Sequence, residues 1–362
     1  MSEGFSLAYQ LAWLPRLLFA GTGATKAFPA APLIKKFAVT GPSRRILFLG
    51  DLTAVANRSC PRFSDEFQAF CRAADVIVAN CESPIVSRSR SPLLTRVGLC
   101  HAMSAQFLSD VLGAAGIAPE RLVLSLANNH ICDQGKGGIE ETAAQLTAMG
   151  IAFVGLENGK EGGWECVSLD GMKVAFLAYT RWRNGWPDVY KESVRDVPLD
   201  FAIPEETDLA CALPHWGTEF AFRPDRPVSE EAARLADIGT DLIVGTHPHV
   251  VQPLAQIGAA LVAYSLGDFV GSVLARTPWP LRLSMALSVE VMPGMPRGAR
   301  IAGYEARLYF RHAVDGCEQI EWVETLPARR RKRCEALIAR IMRSAEDTLA
   351  LDITTETPAV AR

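Results

Sequence analysis

Short apolar runs that end in polar residues recur along the middle of this chain. Five of these runs have the length of a buried strand and alternate with segments that have the period of a helix. They span residues 45–49, 75–79, 122–126, 209–213 and 241–244. This alternation predicts a layered α/β domain. Because loops converge at the carboxyl ends of strands in an open α/β sheet, we expect the polar residues there to share one site.

A second group of apolar runs has few helical segments between its members, which predicts a second sheet. These runs span residues 167–178, 260–266, 283–291, 304–310 and 319–323. We expect residues 45–325 to form one domain, with an N-terminal extension and linker at 1–44. The C-terminal region, 326–362, is predicted to hold a helix over residues 329–349 and a loose tail.

The composition, with 49% hydrophobic and 21% charged residues, is that of a folded soluble chain. A net charge of −3 gives no overall basic field, so a nucleic-acid partner is not expected. The nine cysteines are odd in number, scattered, and not spaced as a structural zinc site. A reducing compartment fits this cysteine pattern best.

Residues 5–19 are apolar enough to imitate an export signal or a membrane segment. Pro15 and Arg16 interrupt this run, and about 18 uninterrupted apolar residues are needed to cross a bilayer. We therefore expect a cytoplasmic protein. In this interpretation residues 5–19 form an amphipathic segment that touches either the main domain or, peripherally, a membrane face.

Histidines and carboxylates concentrate where the predicted strands end. Four of the six histidines lie there, together with two acidic residues; the set is Asp51, Glu82, His130, His215, His247 and His249. Pro248 favours an extended backbone between His247 and His249, which would point both imidazoles to the same side. The alternative is a pair of hydrogen-bonded loop histidines. Such a donor set suits one or two divalent ions, with zinc, manganese or iron the most plausible.

Six motifs occur in order along the chain. They are GD at 50–51, NCESP at 80–84, SLANNHICDQGKGG at 125–138, PHWGTEF at 214–220, GTHPHVVQP at 245–253 and YSLGDF at 264–269. Together they closely resemble the CapA (PgsA) family of poly-γ-glutamate capsule-synthesis proteins, a branch of the calcineurin-type metallophosphoesterases. The resemblance covers residues 45 to about 273. It implies a four-layer α/β/β/α sandwich with two central sheets and a metal centre at the strand ends.

The resemblance also implies roles for individual residues. The implied metal ligands are Asp51, Glu82 as a bridging carboxylate, Asn129, His215, His247 and His249. It implies a hydrolase in which metal-bound hydroxide attacks the substrate and His130, as general acid, protonates the leaving oxygen. Two residues are candidate substrate contacts: Arg58, and Lys136 at a helix start whose amides could receive an anion. That segment could equally be an ordinary helix start.

The chain departs from the family pattern at two metal-site positions. Ordinary phosphoesterases carry Asp-x-His on the first strand, whereas Leu52 and Thr53 follow Asp51 here, so one imidazole ligand is missing. The last motif usually reads GNF, but Asp268 replaces that asparagine. Its added charge could hold a metal, orient an imidazole or act as a catalytic base.

Three functions are consistent with the sequence. The first is a metal-dependent hydrolase of a phosphoester or a capsule-polymer linkage, and the second is a component that binds or assembles such a polymer without turnover. The third is a metal-assisted peptide epimerase in which His130 or Asp268 moves a proton. Each implies an anionic small molecule, peptide or polymer as partner, with contact to a capsule-synthesis complex. The basic run at 329–333 is either a solvated helix face or a patch for anionic lipid or polymer.

Overall fold

Two β-sheets form the centre of the molecule. The computed structural model describes residues 3–21, 30–36, 41–54, 59–96, 99–157, 163–169, 171–185, 187, 193–195, 202–271, 277–296 and 300–342. The strands are β1 (Glu3–Gly4), β2 (Ile34–Lys36), β3 (Arg44–Leu52), β4 (Arg62–Phe63), β5 (Val76–Cys81), β6 (Leu122–Ser125), β7 (Ala152–Val154), β8 (Glu165–Leu169), β9 (Met172–Thr180), β10 (Trp182–Arg183), β11 (Leu209–His215), β12 (Leu242–Val244), β13 (Leu254–Ile257), β14 (Ala260–Ala263), β15 (Asp268–Val270), β16 (Leu283–Val291), β17 (Ile301–Val314) and β18 (Cys317–Trp322). The helices are α1 (Leu7–Leu18), α2 (Asp65–Arg72), α3 (Pro92–Arg96), α4 (Ala105–Ala115), α5 (Gly135–Ala148), α6 (Arg226–Asp237) and α7 (Ala328–Ile341).

The larger sheet has ten strands in the order β4-β18-β17-β16-β3-β5-β6-β7, with β15 paired to β3 and β2 paired to β17. The run β3-β5-β6-β7 is parallel, so the carboxyl ends of these strands lie on one edge. The smaller sheet has six strands in the order β13-β14-β12-β11-β9-β8, and β9, β11, β12 and β14 are parallel. In each sheet, the carboxyl ends of the parallel strands therefore lie along one edge.

The two sheets pack face to face with helices on their outer sides. In β11 the side chains alternate: Leu209, Cys211 and Leu213 join the large core, whereas Ala210 and Ala212 join a second core that includes residues of α6. This alternation places the larger sheet on one face of β11 and α6 on the other. Buried residues of α2, α4 and α5 join the large core as well. The two-sheet α/β fold expected from the sequence is confirmed.

Several predicted elements have different limits in the structure. Strand β3 continues through Asp51 and β11 through His215, so these site residues belong to the strands themselves. The run predicted at 167–178 is a hairpin of β8 and β9. Part of the expected linker forms strand β2, which pairs with β17. This pairing satisfies backbone N–H and C=O groups of both strands. The predicted C-terminal helix is α7, and the expected loose tail lies outside the described residues.

The apolar N-terminal run forms helix α1, and Pro15 lies inside that helix without ending it. With 12 residues, α1 is about 18 Å long. Among the helices that the structure describes, none combines the length and the apolar character needed to span a membrane. Tyr9 and Arg16 of α1 contact Glu219, so the segment touches the main domain.

Strands β3 and β15 approach each other closely at Gly50. A Cβ atom added there would lie 1.6 Å from the carbonyl oxygen of Gly267. In the same strand pair Asp51 is aligned with Asp268. The absence of a side chain at Gly50 is therefore what lets two acidic site residues sit next to each other.

Gly50→Ala is expected to destabilise the protein by about 3 kcal/mol, at the upper end of overpacking costs, because the added methyl overlaps a backbone oxygen. Urea unfolding measures the change in the free energy of unfolding. The matched control is Gly137→Ala in α5, where an added Cβ meets nothing within 4 Å; it should be neutral or stabilise by about 0.5–1 kcal/mol. Equal stabilities of the two variants would contradict the described approach of β3 and β15.

Candidate metal centre

The strand ends of both sheets bring together the predicted metal-ligand residues. Asp51 lies near the end of β3, Glu82 directly follows β5, His215 ends β11, and His247 and His249 follow β12. The first four of these side chains are buried and His249 is partly exposed. Since the five residues come from distant parts of the sequence, only the sheet topology places them in one cluster.

Three overlapping groups in this cluster have donor atoms within 4.8 Å of one another. They are Glu82 with His215 and His247, Asp51 with Glu82 and His249, and Glu219 with His247 and His249. Glu82 belongs to two groups, which is the position expected of a bridging carboxylate. Mixed imidazole and carboxylate donors at this spacing fit a divalent ion of borderline hardness.

The carboxylate of Glu82 is the strongest sign of a cation site. Among the described residues neither of its oxygens has a hydrogen-bond partner, and neither does Nδ1 of buried His247. The oxygen Oε1 lies 3.6 Å from His215 Nε2 and 3.7 Å from His249 Nε2. These separations are too long for hydrogen bonds. A buried carboxylate without hydrogen-bond partners is costly. A cation bound here would satisfy the two Glu82 oxygens and His247 Nδ1 together.

Two imidazoles are held from the side that faces away from Glu82. His249 Nδ1 lies 2.7 Å from Asp268 Oδ1, and His215 Nδ1 lies 3.0 Å from Thr246 Oγ1. Each Nε2 is thereby directed toward Glu82. Metal-binding histidines use their second nitrogen in this way, which fixes the ring orientation.

Burial and mutual repulsion dominate the electrostatics of the cluster. Burial raises the pKa of Glu82 well above its usual value, and nearby Asp51 adds to the shift while His249 opposes it. Burial alone would lower the pKa of His249, but Glu82, Asp268 and Asp51 raise it well above the usual range. The carboxylates of the cluster thus favour positive charge directly beside them.

Asp268 is held between two cationic groups. Its Oδ1 contacts His249, and its Oδ2 lies 2.7 Å from Arg311 Nη2. Burial would raise the pKa of Asp268, but Arg311 and His249 lower it below its usual value. Of the three roles left open by the sequence, orientation of an imidazole agrees best with these contacts.

The backbone at His247 and His249 is not extended, so that expectation was wrong. Their φ angles are 96° and 55°, in the left-handed region that non-glycine residues rarely adopt. The physical reason is that the loop after β12 bends sharply, with Thr246 and His247 bonded to different strands. The two rings still face one cluster, with centroids 6.0 Å apart.

Asn129 and His130 follow β6 and lie beside the cluster. Asn129 Oδ1 is 2.8 Å from His215 Nε2, so this predicted ligand faces the histidine group. His130 Nδ1 is 2.7 Å from Asp133 Oδ2, and its ring stacks on His101 at 3.4 Å. Burial, followed by repulsion from His249, lowers the pKa of His130 to about 3. The neutral ring, held by Asp133, leaves Nε2 as the atom that exchanges protons.

A cavity of about 610 Å³ opens beside these residues, and α1 forms one of its walls. Asn129, His130, His249 and Asp268 line the cavity on the side of the metal cluster. On the other side, the Tyr9 hydroxyl lies 3.4 Å from His247 Nε2 and accepts a hydrogen bond from the Glu219 amide. The N-terminal segment therefore shapes access to the site.

Reasoning from the sequence missed several residues that the structure brings to the site: His101, Asp133, Glu219, Arg311 and Tyr9. Asp133 and Glu219 lie inside the quoted motifs, and an acidic residue three positions after His130 was a usable signal. The other three come from separate segments that carried no local pattern.

Neither of the two predicted substrate contacts is seen at the cavity in the described part of the chain. Arg58 lies outside the described part of the chain. Lys136 is exposed in the first turn of α5 and is absent from the residues that line the cavity. Both remain predictions.

The fold and the cluster define a class of protein. It is a two-sheet α/β protein whose strand ends carry a cluster of histidines and carboxylates that could hold a metal. The chain belongs to the family described as bacterial capsule synthesis protein PGA_cap, whose profile matches residues 45–272. All the residues of the three groups named above lie within this match.

Curated relatives agree with this family. The chain is 26% identical to the PGA biosynthesis protein CapA of Bacillus subtilis (strain 168), over 55% of this chain and 54% of that protein. It is also 26% identical to the capsule biosynthesis protein CapA of Bacillus anthracis, over 56% and 51%. The chain thus matches about half the length of these relatives. Among solved structures, a 5'-nucleotidase precursor from Thermus thermophilus gives a TM-score of 0.44 at 12% identity, covering 88% of this chain and 61% of that one.

The double variant His247→Ala, His249→Ala is expected to weaken divalent-metal binding by at least ~100-fold, because each of the three groups contains at least one of these histidines. Elemental analysis after zinc, manganese or iron loading measures the metal content. His312→Ala is the control, since His312 lies outside the three groups. A wild type that stays metal-free under replete conditions, or a double variant that loads equally, would refute the site.

Asp268→Asn is expected to weaken metal binding by about 10–100-fold, because the amide orients His249 less strongly than the carboxylate. With saturating metal, turnover should stay within ~10-fold of wild type. Asp315→Asn removes the same charge at an exposed turn and should change neither quantity. If turnover instead falls ~100-fold with metal retained, Asp268 is a base and not an orienting residue.

Proposed function

We propose that this protein is a metal-dependent hydrolase that acts in the synthesis of poly-γ-glutamate or another capsule polymer. The observation that carries this proposal is the pair of Glu82 oxygens, which have no hydrogen-bond partner among the described residues and are surrounded by three histidines. One of these histidines, His249, lines a cavity together with His130. Family membership supports the link to capsule synthesis. The cavity supplies space for part of a polymer or for a phosphoester.

One or two divalent ions, with zinc, manganese or iron the most plausible, would supply an activated water and polarise the substrate. The residues that would hold these ions are Asp51, Glu82, Asn129, His215, His247 and His249. Glu219 is a further candidate ligand because it groups with His247 and His249. The first motif lacks one imidazole ligand. Glu219, in the loop after β11, could supply one donor atom in its place.

His130 is the proposed proton-transfer residue. A general acid must carry the proton that it donates, and the pKa of about 3 leaves His130 neutral before substrate binds. An anionic group entering the cavity would raise that pKa by direct attraction. We infer that substrate charge itself prepares His130 for protonating the leaving oxygen.

The contacts of Asp268 argue against an epimerase in which Asp268 is the base. Each of its oxygens is already paired, to His249 or to Arg311, and these cations lower its pKa and so make it a weaker base. His130 is the other candidate base for epimerisation, and in this proposal it serves hydrolysis as the general acid. A component that only binds polymer would not need the His130–Asp133 pair, which supports turnover.

The proposed partners are an anionic peptide, polymer or small molecule and a capsule-synthesis complex. A cytoplasmic location, with or without peripheral membrane contact, remains our proposal, and it rests on the nine cysteines, all of which are free.

His130→Asn is expected to keep the bound metal and lower turnover by ~100-fold or more, because the amide cannot transfer a proton. Turnover is measured with a panel of para-nitrophenyl phosphate, its diester, and γ-glutamyl para-nitroanilide, beside metal content. Asp133→Asn should lower turnover less and displace the pH profile, since it acts only through His130. Loss of metal together with activity in His130→Asn would place His130 among the ligands, and full activity would refute its role.

A further inference from the structure

A second cavity, of about 430 Å³, lies behind the metal centre and is lined by basic and aromatic residues. Its cationic members are Arg282, Arg330 and Arg333, with His312 beside them. Strand β17 separates the two cavities: Arg311 lines the first, whereas its neighbours Phe310 and His312 line the second. Successive residues of a strand point to opposite faces, which explains this division.

The cavity walls hold two of the arginines in fixed positions. Arg330 Nη1 lies 2.8 Å from His312 Nδ1, and its guanidinium lies over the Phe310 ring at 5.5 Å. The Arg333 guanidinium lies over the Trp279 ring at 4.6 Å. Aromatic faces orient guanidinium groups without neutralising them, so their donors stay available.

The tautomer of His312 follows from these contacts. Because Arg330 can only donate, Nδ1 of His312 accepts and the ring proton is on Nε2. Glu321 Oε2 lies 3.3 Å from that Nε2. This approach is an ion-pair contact and not a hydrogen bond, and within the described part of the chain Glu321 has no ion pair with an arginine.

Arg330 and Arg333 bring two positive charges to the cavity. Among the described residues, no carboxylate lies within ion-pair distance of Arg330 or Arg333. Burial, together with repulsion from Arg311 and Arg330, lowers the pKa of Arg282. Arginines this close together repel one another unless an anion lies between them.

We propose that this second cavity is an oxyanion-binding site, which takes a carboxylate or a phosphate group of an acidic peptide, polymer or phosphorylated ligand. Guanidinium forks match both groups with paired N–H donors. This proposal does not depend on hydrolysis at the metal centre.

Helix α7 offers a matched comparison, because its basic run divides by face. Arg330 and Arg333 are three positions apart and line the cavity, whereas Arg329 and Lys332 do not, although all four residues are exposed. The test pair is Arg330→Gln, Arg333→Gln, and the control pair is Arg329→Gln, Lys332→Gln. Both pairs remove two positive charges from the same helix.

Calorimetric titration of the full chain with γ-linked pentaglutamate, and separately with inorganic phosphate, measures binding with a chelator present to keep the metal centre empty. The test pair should weaken binding by at least ~10-fold, and the control pair by less than ~3-fold, because only charge-assisted hydrogen bonds in the cavity distinguish them. Circular dichroism checks that both variants are folded.

A cavity-specific loss with either probe supports the site, and the probe concerned identifies whether carboxylate or phosphate is its ligand. If both pairs weaken binding equally, the arginines act only as diffuse charge and the site is refuted. Absence of binding by both probes to the wild type refutes it as well. None of these outcomes depends on whether the protein is a hydrolase.

Discussion

The burial of acidic side chains at the strand ends is the constraint around which this structure is organised. Asp51 is satisfied by Asn80 Nδ2 at 2.7 Å and by the His247 amide at 3.3 Å. Glu82 has no such partner among the described residues. Two buried carboxylates beside each other need protonation or nearby positive charge to be stable. His249, whose pKa they raise, provides part of that charge, and a bound cation is the natural remainder.

Compensation extends beyond the cluster into the larger sheet. His249 contacts Asp268, Asp268 contacts Arg311, and Arg311 Nη1 lies 3.1 Å from Glu318 Oε1. This series of contacts alternates positive and negative groups, all of them substantially buried. Each member lowers the cost of burying the next, which links the orientation of a metal-site histidine to strands β17 and β18.

The fold was largely predictable from the sequence, whereas the site was predictable only in part. Apolar runs of strand length placed Asp51, Glu82 and His215 at the correct ends, because burial of a strand leaves a direct periodic signal. The backbone of His247 and His249 was not predictable, since loop conformation depends on tertiary contacts. Tyr9 and Arg311 reach the site through long-range packing, which leaves no trace in local spacing.

The proposed metal ligands and the walls of the two cavities come in part from different segments of the chain. The clustered ligands, His130 and Asp268 all lie within residues 45–272, the part that matches the family. The walls of the cavity include Tyr9 from α1 and Arg311 from β17, and the arginine cavity is built by α7 and the residues around β16 and β17. These elements lie outside the matched region. The proposed metal ligands are therefore carried by the shared core, while the walls of both cavities come in large part from segments beyond it.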